Sequence, residues 1–357
     1  MATKQVPKYW ENHLQQKASE IKAHQHKAGE DYITFALISD LHWGYSRKNT
    51  GKVLKRLTEL CDISYCFNGG DTVSGHPYFT KQGLFQDMKE YHKEFSGVED
   101  KMLLVMGNHD AAYATTPPLE GCSTYEKNIT KKELYNHYFK YLRKYPNRVF
   151  GDDAYYFVDD AKKKARYVVL NTHDVPNDHK RKDGSAIYNS FRMFCMGGKQ
   201  LEWFANVALN VPDKDWSVIL CTHENKNAKP HHITTNQPLL DGVINAFKTG
   251  GKFKGEVKSP VHKYLDGKVD VDFTGKGGNF IGWLAGHEHR DDLKIDEYGV
   301  AHIIIATDSS MMGCPSNVFH IGHSDSEHSI DVFTVNKKER TVYVTRVGWG
   351  KDRQFNF

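Results

Sequence analysis

Apolar residues recur along this chain at two spacings. Residues 8–28 are polar except for Trp10, Leu14 and Ile21 at near-helical intervals, which predicts an N-terminal helix whose narrow apolar stripe packs on the core or on a partner. Strand-like and helix-like segments then alternate. "YITFALI" (32–38) is β-branched and aromatic, and "TGKVLKRLTELC" (50–61) carries Val53, Leu54, Leu57, Leu60 and Cys61 along one helical face. "ISYCF" (63–67) reads as a strand, "LFQDMKEYHKEF" (84–95) as a helix and "KMLLVM" (101–106) as a strand. This β-α-β-α-β order predicts a largely parallel sheet with helices on its faces.

Further on, helices are predicted in "KKELYNHYFKYLRKY" (131–145) and "KQLEWFANVAL" (199–209), with strands in "AYYFV", "ARYVVL", "WSVIL", "NFIGWLA" and "VAHIIIA". So many strands require more than one sheet. The basic run from Lys131 has aromatics at helical spacing, so it reads as an amphipathic helix covering the core. "IDVFTVNKKERTVYVTRVG" (330–348) alternates apolar and polar residues around a charged turn, the pattern of a terminal β-hairpin.

With 357 residues, 39% of them hydrophobic, the chain can bury a substantial core. Its 48 basic and 44 acidic residues give a net charge of +4, far from the concentrated positive surface of a dedicated nucleic-acid binder. The six cysteines form no CxxC pair, and Cys66 and Cys221 fall inside strand-like runs, which predicts buried free thiols. The N-terminal stretch lacks the basic-then-apolar layout of a signal peptide, and no window approaches a membrane span, so synthesis in a cytoplasm is expected.

The chemistry lies where the strand-like runs end. "ISDLHWG" (38–44) ends in Asp40 and His42, "YCFNGGD" in Asp71, "LLVMGNHD" in Asn108, His109 and Asp110, "WSVILCTH" in His223, and "FIGWLAGHEH" in His287 and His289. Open α/β sheets bind ligands at the carboxyl ends of their strands, so these oxygen and imidazole donors can share one rim and form a single metal-binding cluster.

In order, the motifs read D-x-H, G-D, G-N-H-D, an isolated H and G-H-x-H, across positions 40–289. This series resembles the calcineurin-like metallophosphoesterase superfamily. The resemblance implies a four-layer α/β/β/α sandwich of two mixed β-sheets flanked by helices, with two divalent metals (manganese first, or iron, zinc or nickel) at the C-terminal rim of the strands. Asp40, His42 and His289 would hold one metal, Asn108, His223 and His287 the other, and Asp71 would bridge them. Such a pair, about 3.5–4 Å apart, clamps phosphate oxygens and supplies a hydroxide nucleophile for in-line attack. His109 would face the substrate, stabilising transition-state charge or protonating the leaving oxygen, with Asp110 orienting it.

One departure narrows the substrate. Protein serine/threonine phosphatases of this superfamily continue their second block as G-D-x-V-D-R-G, whereas this chain reads "GDTVSGH", without the phosphate-binding arginine. A phosphodiester, ahead of a phosphomonoester, is therefore the expected substrate. For its contacts, His76, Tyr45, Asp174 and Arg290 are candidates. For each a plainer reading stands beside that one: a turn at His76, packing of Trp43 and Tyr45 on a neighbouring loop, a surface turn at His173–Asp174 and a surface arginine at Arg290. His231 and His232 can be solvated loop residues, and Glu288 should point away from the metals.

The implied organisation is an N-terminal helical extension (1–30), a catalytic domain (31–312) and a C-terminal hairpin extension packed on the core (313–357). An insertion at about 224–278, rich in Gly, Lys and Asn, has the look of a segment lying over the active face and choosing the substrate. The N-terminal helix and the closing "RVGWGKDRQFNF" look similar to metallophosphoesterases of Gram-positive bacteria and their phages, some of them tail-associated. That resemblance makes a teichoic acid polymer a candidate substrate and the virion a candidate location. The alternatives are a nuclease or cyclic-nucleotide phosphodiesterase, for which nucleic acid enters only as substrate, and a non-catalytic structural or binding module.

Overall fold

The fold was obtained as a computed structural model describing residues 6–43, 49–75, 80–111, 129–184, 187–188, 190–191, 193–228, 236–309 and 320–357. A long helix α1 (Lys8–Ala28) buries Trp10, Leu14, Ala18, Ile21, Gln25 and Ala28, one residue per turn on the stripe that the sequence predicts. It lies against β1 (Ile33–Ile38), where Gln25 Nε2 donates to Thr34 Oγ1 at 3.0 Å. Every residue of β1 is buried, as expected of a strand covered on both faces. The alternation continues through α2 (Thr50–Leu60), β2 (Cys66–Asn68), α3 (Lys81–Glu94) and β3 (Met102–Leu104).

The segment after Thr130 starts as α4 (Lys131–Leu134) with a capping box of Thr130 and Glu133, then widens and tightens through residue 144 while burying Leu134, Tyr138, Phe139 and Leu142. The strands β4 (Arg148–Phe150), β5 (Tyr156–Asp160) and β6 (Ala165–Val169) follow, then α5 (Gly198–Trp203) and β7 (Ser217–Cys221). Next come α6 (Gln237–Thr249), β8 (Lys252–Val257), β9 (Gly267–Asp272), β10 (Asn279–Ala285), β11 (Asp292–Ile295) and β12 (Ala301–Ile304). The chain closes with β13 (Ser329–Asn336), β14 (Thr341–Gly348) and β15 (Arg353–Asn356).

Two large mixed sheets result, as expected. The first has the order β15-β14-β13-β1-β2-β3 and the second β11-β12-β10-β7-β6-β5-β4, while β8 and β9 pair only with each other. β1, β2 and β3 run parallel, as do β6, β7, β10 and β12. The predicted C-terminal hairpin forms, and β13 pairs antiparallel with β1, so these strands continue the first sheet. One core spans both sheets, with Phe35, Phe67 and Phe333 of the first among Tyr167, Ile219 and Ile303 of the second.

A second core lies on the outer face of the second sheet. There α5 and α6 place Leu201, Phe204, Leu240, Val243 and Phe247 against Val218, Leu220, Phe280 and Trp283. The helix of the 224–278 segment is amphipathic and its apolar side is taken up by the second sheet, and β8 and β9 flank that helix. The four cysteines in the described residues, Cys61, Cys66, Cys195 and Cys221, are free and buried, as predicted. No described helix is long and apolar enough to cross a membrane.

The strand pair β13/β14 carries a buried charge network. Asp331 faces Arg346 across the ladder, and Arg346 Nε donates to Asp331 Oδ1 at 2.8 Å and its Nη2 to Asp291 Oδ1 at 2.6 Å. Arg353 closes on the other Asp331 oxygen. Burial alone would raise the Asp331 pKa, but the two guanidinium groups hold it below the ordinary carboxylate value. Neutralising the carboxylate leaves two arginines to share Asp291, so Asp331→Asn should cost about 3–5 kcal/mol at pH 7. Because the folded pKa is depressed, that stabilisation is complete above the unfolded value near ~3.9 and is lost as the pH falls through the folded value. Urea unfolding of both proteins at pH 7 and in acid should therefore show a gap that closes as the pH falls.

Candidate metal centre

The five sequence blocks meet. Asp40 follows β1, Asp71 follows β2 and Asn108 follows β3, while His223 follows β7 and His287 and His289 follow β10. The first three strands are parallel neighbours in one sheet and the last two in the other, so the carboxyl ends of both sheets face one rim. Backbone bonds lock the loops together: Asp40 N donates to Gly70 O at 2.9 Å and His42 N to Asp71 O at 3.0 Å. The His287 amide crosses between the sheets to both oxygens of Asp40, at 3.1 and 2.9 Å.

The backbone there is strained. Eight described residues other than glycine have positive φ, and five of them are Asp40 (55°), His42 (46°), Asp71 (50°), His287 (66°) and His289 (54°). Each costs about 1–2 kcal/mol in the left-handed region, a burden that clusters at functional sites. The motif glycines admit close approaches. A Cβ on Gly107 would lie 2.2 Å from Asp71 Oδ1, and one on Gly286 would lie 2.4 Å from Asp40 Oδ2.

Donor atoms of Asp40, His42, Asp71 and His289 lie within 4.8 Å of one another, and so do those of Asp71, His223 and His287. His42 Nε2 is 3.1 Å from His289 Nε2, and His289 Nε2 is 3.3 Å from Asp40 Oδ1. In the second group, His223 Nε2 is 3.2 Å from Asp71 Oδ2 and 3.1 Å from Asn108 Oδ1, and His287 Nδ1 is 3.2 Å from the same Asn108 oxygen. A cation about 2.1 Å from nitrogen and oxygen donors sets neighbouring donors roughly 3.0–3.4 Å apart, so these spacings fit two metal positions sharing Asp71. His223 Nδ1 donates to Gly69 O at 2.8 Å, which turns the Nε2 lone pair toward the centre.

The electrostatics agree with that fit. Burial disfavours a charged His223 ring, but the carboxylates of Asp71 and Glu224 prevail and its pKa rises well above the usual imidazole range. A proton thus serves where a cation is wanted. Burial would also raise the Asp71 pKa, yet the rings of His223 and His109 hold it well below the usual value. At His42 burial dominates and lowers the pKa, leaving a neutral ring able to bind metal.

His109 stands at the edge of this group. Its Nδ1 donates to Ser74 O at 2.6 Å, and its Nε2 lies 3.8 Å from Asp71 Oδ2. Ser74 thus fixes the ring. Asp110 accepts from Val73 N at 3.1 Å and Gly107 N at 2.9 Å, tying the His109 loop to the Asp71 loop. Burial and the nearby Asp71 charge push the Asp110 pKa up to about 7.

The remaining candidates separate. Tyr45 and His76 lie outside the described residues, as do His231, His232, Cys122 and Cys314. Asp174 binds Lys131 at 2.7 Å and Gly197 N at 3.1 Å, facing a cavity of about 570 Å³ lined also by Tyr155, Lys199 and Tyr264. Arg290 is 2.8 Å from Asp292 and 3.6 Å from Glu288, an ion-paired arginine next to His289. Trp43 is buried edge-on against Tyr91, so it packs on the helix α3 and not on a neighbouring loop. His173 is fully buried at the end of β6 and not in a surface turn, with Nε2 3.0 Å from Glu224 Oε1.

Three neighbours of the centre were not read from the sequence: Glu224, Phe191 and Phe194. The ring of Phe191 is 4.8 Å from that of His109, and Phe194 is 5.4 Å from His287. The phenylalanines belong to a segment without regular secondary structure, so no periodicity marks them. Adjacency to His223 was the available signal for Glu224.

Comparison with known proteins agrees with this geometry. A curated relative, the manganese-dependent ADP-ribose/CDP-alcohol diphosphatase of Arabidopsis thaliana, is 24% identical over 309 residues, spanning 78% of this chain and 82% of its own. The crystal structure of a dimetal phosphatase from Danio rerio superposes with a TM-score of 0.58 at 14% identity, covering 91% of this chain and 99% of that one. The family model for calcineurin-like phosphoesterases matches residues 33–291, the span holding every donor described above, and the chain belongs to that family of hydrolases.

Proposed function

We propose that this chain is a two-metal phosphodiesterase-type hydrolase. Asp40, His42 and His289 hold one divalent metal, Asn108, His223 and His287 the other, and Asp71 is shared. The observation that carries this reading is the pair of donor groups meeting at Asp71. When bound, two such metals supply Lewis acidity toward phosphate oxygens and a hydroxide nucleophile at neutral pH. The protein's own part is to place His109, its Nδ1 bound to Ser74, so that Nε2 faces the reacting phosphate. Charged by the approach of an anionic substrate, this ring stabilises the transition state or gives its proton to the leaving oxygen.

Manganese is the favoured metal, and the curated relative's name supports it. The same relative supports a diphosphate linkage between a nucleoside and a second alcohol, in which each phosphorus carries two substituents and one negative charge, as in a diester. Phe191 and Phe194, beside His109 and His287, offer aromatic surface to a base. The teichoic acid polymer considered from the sequence gains no support from the relatives.

Manganese-loaded protein should hydrolyse bis(p-nitrophenyl) phosphate faster than p-nitrophenyl phosphate, and ADP-ribose to AMP and ribose 5-phosphate. A preference for the monoester would refute the diesterase reading. His109→Ala should lower kcat about 10²–10⁴-fold with metal content unchanged, as measured by elemental analysis beside steady-state kinetics.

Metal binding should also be linked to pH. Because His223 holds a proton that the metal must displace, apparent manganese affinity should fall about tenfold for each unit decrease in pH per proton released. Calorimetric titration in two buffers of different ionisation enthalpy measures that release, and a heat independent of buffer would contradict it.

A further inference from the structure

Nothing in the five motifs asks for a carboxylate beside the isolated histidine, yet Glu224 follows His223 directly and turns inward. It is 2% exposed. Oε1 lies 3.6 Å from His287 Nδ1 and 3.9 Å from His223 Nε2, while Oε2 accepts from the Thr172 hydroxyl. Oε1 is paired with His173 Nε2 at 3.0 Å. A buried carboxylate is costly unless opposite charge stands beside it, and the rings of His173, His223 and His287 surround this one.

The loop holds that oxygen in place. Thr222 Oγ1 donates to the Glu224 carbonyl and accepts from Trp283 Nε1 at 2.7 Å. Asn225 Nδ2 donates to Trp283 O and Ile303 O, both at 3.2 Å, so each side of Glu224 is fastened to the second sheet. The separations of 3.6 and 3.9 Å fall between the roughly 3.0 Å of adjacent donors and the roughly 4.2 Å of opposite donors around a cation held at about 2.1 Å.

We propose that Glu224 Oε1 is a further ligand of the cation held by Asp71, Asn108, His223 and His287. This rests on the two-metal reading above and deepens it. The second position then has five protein donors and the first has four, Asp40, His42, Asp71 and His289. In an octahedral environment the second keeps one place for substrate or water and the first keeps two. The added negative charge makes the second position the tighter one for a hard divalent ion and leaves the first as the main seat of the phosphate oxygens. Thr172 and His173 are positioning residues for the carboxylate.

The test is Mn²⁺ binding to the full-length chain by equilibrium dialysis, with elemental analysis, for the wild type, Glu224→Gln, Glu224→Asp and Asp71→Asn. The proposal expects two ions in the wild type. In Glu224→Gln the weaker site should be unchanged and the tighter one weakened at least ~100-fold, beyond the 10–100-fold expected of an outer-shell change. Glu224→Asp keeps the charge but is one methylene too short, and should lose comparably. Electron paramagnetic resonance of the bound Mn²⁺ should change for that site alone.

Wild-type binding constants in Glu224→Gln, with binding disrupted in Asp71→Asn, would overturn the ligand assignment and leave the two-metal centre standing. Wild-type binding in Glu224→Asp with loss in Glu224→Gln would assign Glu224 a role of charge only, which also overturns it. Failure of the wild type to bind Mn²⁺, or indifference to Asp71→Asn, would remove the two-metal reading and this proposal with it.

Discussion

The structure depends on bringing like groups together where they have no favourable way to coexist alone. Imidazole nitrogens of His42 and His289 face each other at 3.1 Å, those of His223 and His287 at 3.3 Å, and three buried carboxylates, Asp40, Asp71 and Glu224, stand among them. Shared protons satisfy part of this arrangement, as the raised His223 pKa indicates. Divalent cations satisfy it better, because one ion completes several donors that a proton can join only in pairs. The five donors in left-handed backbone add a local cost, which is tolerated because the surrounding loops leave them no alternative conformation.

That over-determination comes from both sheets. The parallel strands of the first deliver Asp40, Asp71 and Asn108 as consecutive neighbours, and β7 and β10 of the second deliver the histidines. Bonds between the sheets set the two halves in register. His287 N binds Asp40, His223 Nδ1 binds Gly69 O, and Arg346 of β14 reaches Asp291, two residues beyond His289. The C-terminal strands therefore act on the site from outside the motif span: through Asp331, Arg346 and Arg353 they brace the loop that carries the last two histidines.

The centre was legible in the sequence for a specific reason. Each donor follows a short apolar run, so strand, exit and ligand are adjacent in the chain, and period and motif reinforce each other. Elements without such a signature were missed. "KFKGEV" and "GKVDVD" form β8 and β9 although charged residues fill their exposed face, and β4, β11 and β15 are only three or four residues long. In the 224–278 segment, amphipathicity shows that the helix has a partner without saying which sheet face provides it. His173 and Asp174 illustrate the same limit. Adjacent in sequence, they point to different places, His173 toward Glu224 and Asp174 toward Lys131 and the cavity beyond.

This division has a mechanistic consequence. Both residues leave β6, which runs parallel to β7, so the rim continues past the recognised motifs by one strand. On the inner side of that extra strand, Thr172 and His173 meet Glu224, whose other neighbours are His223 and His287. On its outer side, Asp174 is held by Lys131 and Gln200. Under the proposed assignment, a substrate phosphate drawn to the less filled first position would lie nearer His42 and His109, whose rings meet edge-on at 4.7 Å. The proposed proton donor and the places left open for phosphate oxygens would then share one side of Asp71, and an in-line displacement needs the leaving oxygen to depart toward an acid.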